Sequence, residues 1–294
     1  MKVDDVVRRG WKEYAELRRR ITRSGSADAA LRHFDDVDRS DIDAWNRVTA
    51  ERHEEYRAAQ SMPEGAVAVI CVTNRPGYIA DVVDNVMRQS RHPEHVGVVV
   101  NLDEADADLA AVDARLEDVR RAGIDVTLSA RSAVTSLGSC LNGAMAATDA
   151  RFVAKFDDDD RYGAHYLADA LRAHGYAGAG IVGKHTTYAR LAETDDTILR
   201  FPGREFVYTS TLAGPTLVID RARVGDLRFR DLSLGEDRAI ITDCNRRGIA
   251  TFAADRFNFL YRRSIGSAWG QSNEEFVRKS VPVAADRILD EIDR

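Results

Sequence analysis

RFVAKFDDDDRY, residues 151–162, runs a short apolar strand straight into four consecutive aspartates. Adjacent carboxylates repel one another, and an ordinary turn does not call for four of them. Oxygen-only groups crowded at a strand end suit a hard divalent cation, Mg2+ or Mn2+, which keeps open positions for phosphate oxygens. Reading outward from this stretch tests that idea.

Upstream, the chain alternates strand and helix patterns. AVAVICVT (66–73) is a continuous apolar run, as expected of a strand buried on both faces, and IADVVDNVMRQS follows with helical spacing. HVGVVVN (95–101), LAAVDARLEDVRRAG (109–123), IDVTLSA (124–130) and SLGSCLNGAMAAT (136–148) continue the alternation up to the acidic strand. Repeated β-α units predict a mostly parallel sheet with helices on both faces, whose ligands bind beyond the strands' carboxyl ends. The aspartates stand at such an end.

Downstream the regularity loosens. GAHYLADALRAHG reads as a helix and AGIVGK as a strand, and residues 187–206 as a polar, variable stretch. TLAGPTLVID reads as a strand, EDRAIITDCNRRG as a helix closed by Gly248, and ATFAADRFNFLYRR as one or two strands. NEEFVRKSVPVAADRILDEIDR reads as mostly helical with a break at Pro282. The expected division is an N-terminal helical extension over 1–64, one α/β domain over 65–270 and a helical tail over 271–294. SMPEG (61–65) is the turn at the first boundary.

The extension carries Val7, Trp11, Tyr14 and Ile21 at helix-like spacing among arginines, and a second helix starts near Ser40 with the capping run SDID. Packing on the main domain, pairing into a homodimer, or peripheral contact with an anionic membrane through the arginines are its expected uses.

Composition narrows the classes. The chain has 294 residues, 44% hydrophobic and 31% charged, with a net charge of -6, which excludes a general nucleic-acid binder needing a basic field. Cys71, Cys140 and Cys244 are far apart, with no CxxC spacing for zinc and no disulfide framework. No apolar run approaches the roughly 20 residues of a membrane span, and the N-terminus lacks a signal-peptide core. A cytoplasmic protein is expected, at most peripheral at the inner face of the membrane. TNRPGY after the first strand is neither GxGxxG nor a glycine-rich loop bearing lysine, which argues against a dinucleotide oxidoreductase and a nucleotidyltransferase.

A second acidic pair, Glu236 and Asp237, opens a helix after the loop LSLG. Acidic residues are favoured there by the helix dipole alone. Beside a metal-binding cluster, however, a separate carboxylate could take a proton from an attacking hydroxyl while the metal neutralises a departing diphosphate.

In this order, VICVTNRPGYIADVVDNVMRQS, LNGAMAATDARFVAKFDDDD, GEDRAIITDCNRRG and FLYRRSIGS resemble the conserved blocks of family 2 glycosyltransferases of the GT-A fold, over roughly 200 residues. The resemblance implies a Rossmann-like α/β sheet and metal-dependent, inverting transfer of a sugar from a nucleotide-diphosphate donor, most readily a UDP-sugar, to an acceptor hydroxyl. It implies Thr73, Asn74 and Arg75 beside the nucleotide base, with Asn101 or Asp103 in the place of the family's base-binding aspartate. Asp157 and Asp159 match the DXD motif, Asp159 as the principal metal ligand and Asp157 at the ribose or the metal's water shell. Asp158 and Asp160 would be helpers. Asp237 matches the catalytic base, with Glu236 beside it, and Arg262, Arg263, Ser264 and Ser267 would grip the diphosphate.

Several positions depart from the family. Leu141 replaces an arginine before Asn142, with Arg131 the only substitute in view, and Ser264 stands where many members have a metal-binding histidine. Lys184, His185 and Trp269 are further candidates near the acceptor or diphosphate, and Cys140 reads as a buried small residue. The alternative function is a degenerate GT-A protein that binds a glycan or nucleotide sugar without catalysis. The acceptor leaves no motif.

Overall fold

A computed structural model describes residues 32–38, 40–103, 107–263, 276–283 and 292. The expectations on the N-terminal arginine helix and on Ser264, Ser267 and Trp269 lie outside the described residues.

The first half follows the sequence pattern. β1 (Val67–Thr73) and β2 (His95–Asn101) are buried along nearly their whole length, as the unbroken apolar runs required. β3 (Asp125–Arg131) and β4 (Phe152–Lys155) flank them, and the order β3-β2-β1-β4 is parallel throughout. Crossovers are α1's successors in the chain. After α1 (Ile42–Ala59) come α2 (Ile79–Met87), the short pair α3 (Leu109–Arg115) and α4 (Glu117–Arg121), and α5 (Leu137–Ala146). The single helix expected over 109–123 is thus broken, at Leu116, which folds into the core. Among the described residues no helix is long and apolar enough to cross a membrane.

Beyond β4 the sheet is mixed. β5 (Arg161–Tyr162), α6 (Tyr166–Ala177) and β6 (Ile181–Gly183) are followed by β7 (Thr187–Leu191), β8 (Thr197–Arg200), β9 (Val207–Tyr208) and β10 (Val218–Asp220). β10 lies antiparallel between β4 and β6, and the eight-stranded order is β3-β2-β1-β4-β10-β6-β11-β9, with β11 at Thr251–Ala253. A second sheet, β13-β8-β7-β12-β5, includes β12 (Phe259–Arg263) and β13 (Ser280–Pro282). Two expectations change here. Residues 187–206 contain a β7–β8 antiparallel hairpin, and the stretch around Pro282 is an edge strand on β8. Proline is tolerated there because an edge strand need not donate on both sides.

Helices cover both faces of the large sheet. One core joins Val67, Val69, Val98 and Phe152 to α2 and α6, and the other joins Ile70, Val153 and Ile219 to Cys140 and Leu141 of α5 and to Ile240 and Cys244 of α8 (Glu236–Arg246). All three cysteines are buried thiols.

The described part of the N-terminal extension is docked. Trp45 of α1 is fully buried and its Nε1 donates to Glu205 at 2.9 Å. Glu205 is paired in turn with the buried Arg256, whose guanidinium also reaches Thr49 Oγ1 at 2.7 Å and the Asn46 carbonyl at 2.8 Å. Arg57 forks onto Asp169 at 3.0 and 3.1 Å.

Candidate active site

The acidic turn closes β4 where β1 also ends. Alternate residues face opposite ways. Asp158 and Asp160 are buried, whereas the side chains of Asp157 and Asp159 are 35% and 21% exposed. Thr73, the last residue of β1, donates its hydroxyl to Asp158 and accepts from the Arg75 amide at 2.8 Å. Arg75 pairs with Asp158 and with Asp159, at 2.8 Å for the latter, and its guanidinium lies 4.6 Å over the Tyr78 ring. Asn85 of α2 donates to the Asp160 carbonyl at 2.8 Å and accepts from the Tyr162 amide at 3.1 Å. Tyr162, stacked on Phe156 at 3.7 Å, receives the Asp157 amide and donates to the Pro215 carbonyl, each at 2.8 Å. The turn is therefore fixed from two sides before any ligand arrives.

The second acidic pair meets the first through Lys155. Its Nζ lies 2.8 Å from Asp157 and 3.2 Å from Asp237, although Asp237 is 82 residues away in sequence. Burial disfavours the ammonium, but Asp157 and Asp237 outweigh that and hold its pKa above the ordinary value. Asp237 stands in the first turn of α8, entered through Gly235 in the left-handed conformation (φ 84°). One of its oxygens accepts from Lys155, and the other, Oδ1, is buried without a hydrogen-bond partner. Gly214, in the 3-10 turn Gly214–Thr216, makes room for it, since a Cβ there would stand 2.0 Å from Asp237 Oδ2.

The electrostatics are those of excess negative charge. Burial, and then repulsion from Asp237, pushes Glu236 up to about 7. Burial also raises Asp237, with Lys155 opposing. Asp158 is raised by burial despite Thr73 and Arg75, and Asp160 well raised by burial and by Asp157 and Asp159. Six carboxylates here share two protein cations, Lys155 and Arg75. That imbalance and an all-oxygen donor set fit a divalent cation held by one or two carboxylates and by phosphate oxygens. Asp157 and Asp159 are the two partly exposed members, Asp157 beside Lys155 and Asp159 beside Arg75. The one group of three metal-binding side chains found within 4.8 Å among the described residues, His53, Asp169 and Asp255, is elsewhere. There Arg57 and Lys184 already supply the positive charge, Lys184 at 3.0 Å from Asp255.

Asn74 is exposed at the same turn as Arg75. Asn101 and Asp103 hold the loop after β3, Asn101 donating to the Ser132 carbonyl at 2.8 Å and Asp103 accepting from Ser132 Oγ at 2.7 Å. That contact keeps the Asp103 carboxyl below its usual range. Arg262 reaches the acidic turn through its main chain, whose amide donates to Asp160 at 2.9 Å, while its guanidinium is 3.5 Å from Asp81. Arg263, next in the strand and so on its other face, lies 4.4 Å over the Phe276 ring instead of at the turn. Lys184 is locked to Asp255, and Asn142 is spent on the main chain of Phe229. Sequence reasoning missed Lys155, Gly214, Tyr162 and Asn85. Lys155 left a signal, being one of five lysines in the chain and sitting inside an apolar strand.

No family model matches this chain, and no curated protein does. Solved structures do match. The mannosyltransferase PcManGT from Pyrobaculum calidifontis, in complex with GDP-Man and Mn2+, aligns over 83% of this chain and 69% of its own at 17% identity, with a TM-score of 0.54. S. aureus TarS (residues 1–349), in complex with UDP-GlcNAc, aligns over 72% of this chain and 64% of its own at 18% identity, with a TM-score of 0.52. The chain thus spans less than two thirds of that TarS structure. Its large, partly parallel sheet with helices on both faces is the GT-A type of fold that these glycosyltransferases carry.

Proposed function

We propose that the chain is a metal-dependent, inverting glycosyltransferase that moves a sugar from a nucleotide-diphosphate donor, a UDP-sugar in the first instance, to an acceptor hydroxyl. The observation that carries this reading is the Lys155 bridge. It brings the strand-end acids and the helix-opening acid within about 6 Å of each other, since one ammonium is 2.8 Å from Asp157 and 3.2 Å from Asp237. A donor site and a base must be that near for direct displacement.

Asp159 and Asp157 would hold Mn2+ or Mg2+. When bound, that ion supplies positive charge against the diphosphate's oxygens. The chain's own residues do the rest. Arg75 and Thr73 keep the turn in place, and Asn74 is exposed beside them for the nucleotide. Asp237 takes the proton of the acceptor hydroxyl, with Lys155 holding its carboxylate in place. The acceptor oxygen forms its bond to the anomeric carbon as the bond to the diphosphate breaks on the opposite face, and its proton passes to Asp237. A buried carboxylate of raised pKa is a stronger base than a solvated one.

Calorimetric titration of UDP, first with Mn2+ and then with EDTA, tests the donor site, and binding only with the metal is expected. Asp237→Asn should then keep that affinity and lose about 100-fold or more in UDP release from UDP-sugars. Failure of UDP, GDP, dTDP and CDP alike to bind would end the catalytic reading. Donor hydrolysis unchanged in Asp237→Asn would remove Asp237 from it.

A further inference from the structure

A second constellation stands at the same sheet edge as the base. β6 and β4 both run antiparallel to β10, so their carboxyl ends lie at one edge, two strand spacings or about 10 Å apart. His185 follows β6 at that edge. The Lys184 carbonyl accepts from the Ala213 amide at 2.7 Å, and Gly214 next to it touches Asp237. His185 is therefore one residue away on its side of that bond, and the base's neighbour is one residue away on the other.

Phe201 is the hub of the constellation. It is a non-glycine residue with φ of 49°, held there by Thr186, whose hydroxyl donates to its carbonyl at 2.7 Å, and by Lys279, whose carbonyl accepts its amide at 2.8 Å. Holding such a conformation carries a cost that the surrounding contacts must offset. Around its ring stand His185 at 5.2 Å, the Arg200 guanidinium at 5.1 Å and the Lys279 ammonium at 5.9 Å. Arg204, three residues on, is exposed like Lys279. Arg200 is 92% buried (8% exposed), its Nε has no hydrogen-bond partner, and its flat face is stacked 3.7 Å over Phe276. Among the described residues, none of Arg200, Arg204 and Lys279 is paired with a carboxylate. This occurs in a chain with 48 acidic residues for 42 lysines and arginines. The positive field is felt locally. His185 is lowered to about 4, by burial first and then by Arg204, Lys279 and Arg200 together.

We propose that this cluster is an acceptor subsite that takes an anionic group, a phosphate or carboxylate carried by the saccharide that receives the sugar. The assignment rests on the glycosyl-transfer reading above and adds the acceptor's chemical class to it. Uncompensated cations of low mobility are what a fixed anion needs, and the half-buried rings of His185 and Phe201 offer a flat apolar wall for the sugar that bears it. Lys279 and Arg204 supply the outer, salt-sensitive attraction, and Arg200 the rigid inner charge.

The test is an NMR titration of the full chain, saturated with UDP and Mg2+ so that the diphosphate site is filled, using glucose 6-phosphate, glucuronate, glucose and inorganic phosphate. At least one of the charged sugars should bind at millimolar concentration in low salt, moving the His185 ring signals, and glucose should not. Arg204→Ala with Lys279→Ala, two exposed positions, should weaken that binding about five- to tenfold while the affinity for UDP with Mg2+ stays unchanged. Glucose binding as well as the charged sugars, no binding of either charged sugar, or charged-sugar affinity unchanged in the double variant would overturn the subsite. Inorganic phosphate binding as tightly as glucose 6-phosphate would overturn the acceptor assignment, leaving a simple anion site. Loss of UDP binding by the wild-type chain is read separately and counts against the donor site alone.

Discussion

Lys155 carries the greatest consequence of any single residue. A lysine in a buried strand is costly unless its charge is met, and here two carboxylates from distant segments meet it. Its neighbours lead to two predictions. Gly214→Ala places a methyl 2.0 Å from Asp237 Oδ2, and the flexible carboxylate is what will move. Turnover should fall about 100-fold, as a misplaced base implies, with a lowered melting temperature because the Lys155–Asp237 contact shifts too, and with UDP affinity intact. A variant that unfolds, or one of full activity, would show that the glycine serves something else. Glu236→Gln concerns pH. Glu236 is raised from an ordinary 4.5 to about 7, so between those values the folded protein keeps a proton that the unfolded chain has lost. Stability must then fall as pH rises through that window and level off above it. Glutamine removes the titration, so the urea midpoint should lose much of its decline between pH 5 and 7.5. An equal decline in variant and wild type would contradict the assignment.

At the scale of elements, α1 packs on the α/β domain. Its buried Trp45 and Thr49 and the Asn46 carbonyl converge on the Glu205–Arg256 pair, which lies in the loops before β9 and β12. Glu205→Ala would leave Arg256 buried without its carboxylate and take the acceptor from Trp45 Nε1. Breaking a buried pair in this way costs about 3–5 kcal/mol. Urea unfolding should register that loss, and a change below about 1 kcal/mol would mean that α1 contributes little to the fold. The helix before the site has a comparable role on the other side. Asn85 and Gln89 of the NVMRQS stretch are spent on the main chain of the acidic turn and of the entry to α6, Gln89 donating to the Gly163 carbonyl at 2.9 Å and accepting from the Leu167 amide at 3.1 Å. That gives a physical reason for polar residues on a buried helical face.

For the whole molecule, the excess of carboxylates makes stability depend on what binds. UDP with Mn2+ at a hundredfold excess over Kd should stabilise the fold by about 2.7 kcal/mol, several degrees in a thermal scan. UDP with EDTA should leave the melting temperature unmoved. Equal shifts with and without metal would separate nucleotide binding from the acidic turn.

The sequence by itself determined the parallel half of the large sheet. AVAVICVT, HVGVVVN and RFVAKF are buried on both faces, and that demand is written as unbroken apolar runs in any context. It also marked the four aspartates, because charge crowded behind a strand is a local pattern. The hairpin in 187–206 and the edge strand at Pro282 were hidden, since strands there draw their stability from cross-strand partners distant in sequence. Asn101, Asp103 and Arg263 were named from motif order, and their protein contacts come only with the fold. Each had a place in the motif order, but which group a side chain meets is settled by the loops and rings packed around it. Only the tertiary structure could bring Asp237 to Asp157, because a contact across 82 residues has no periodicity to announce it and depends on the strand, helix and glycine that hold both around one ammonium.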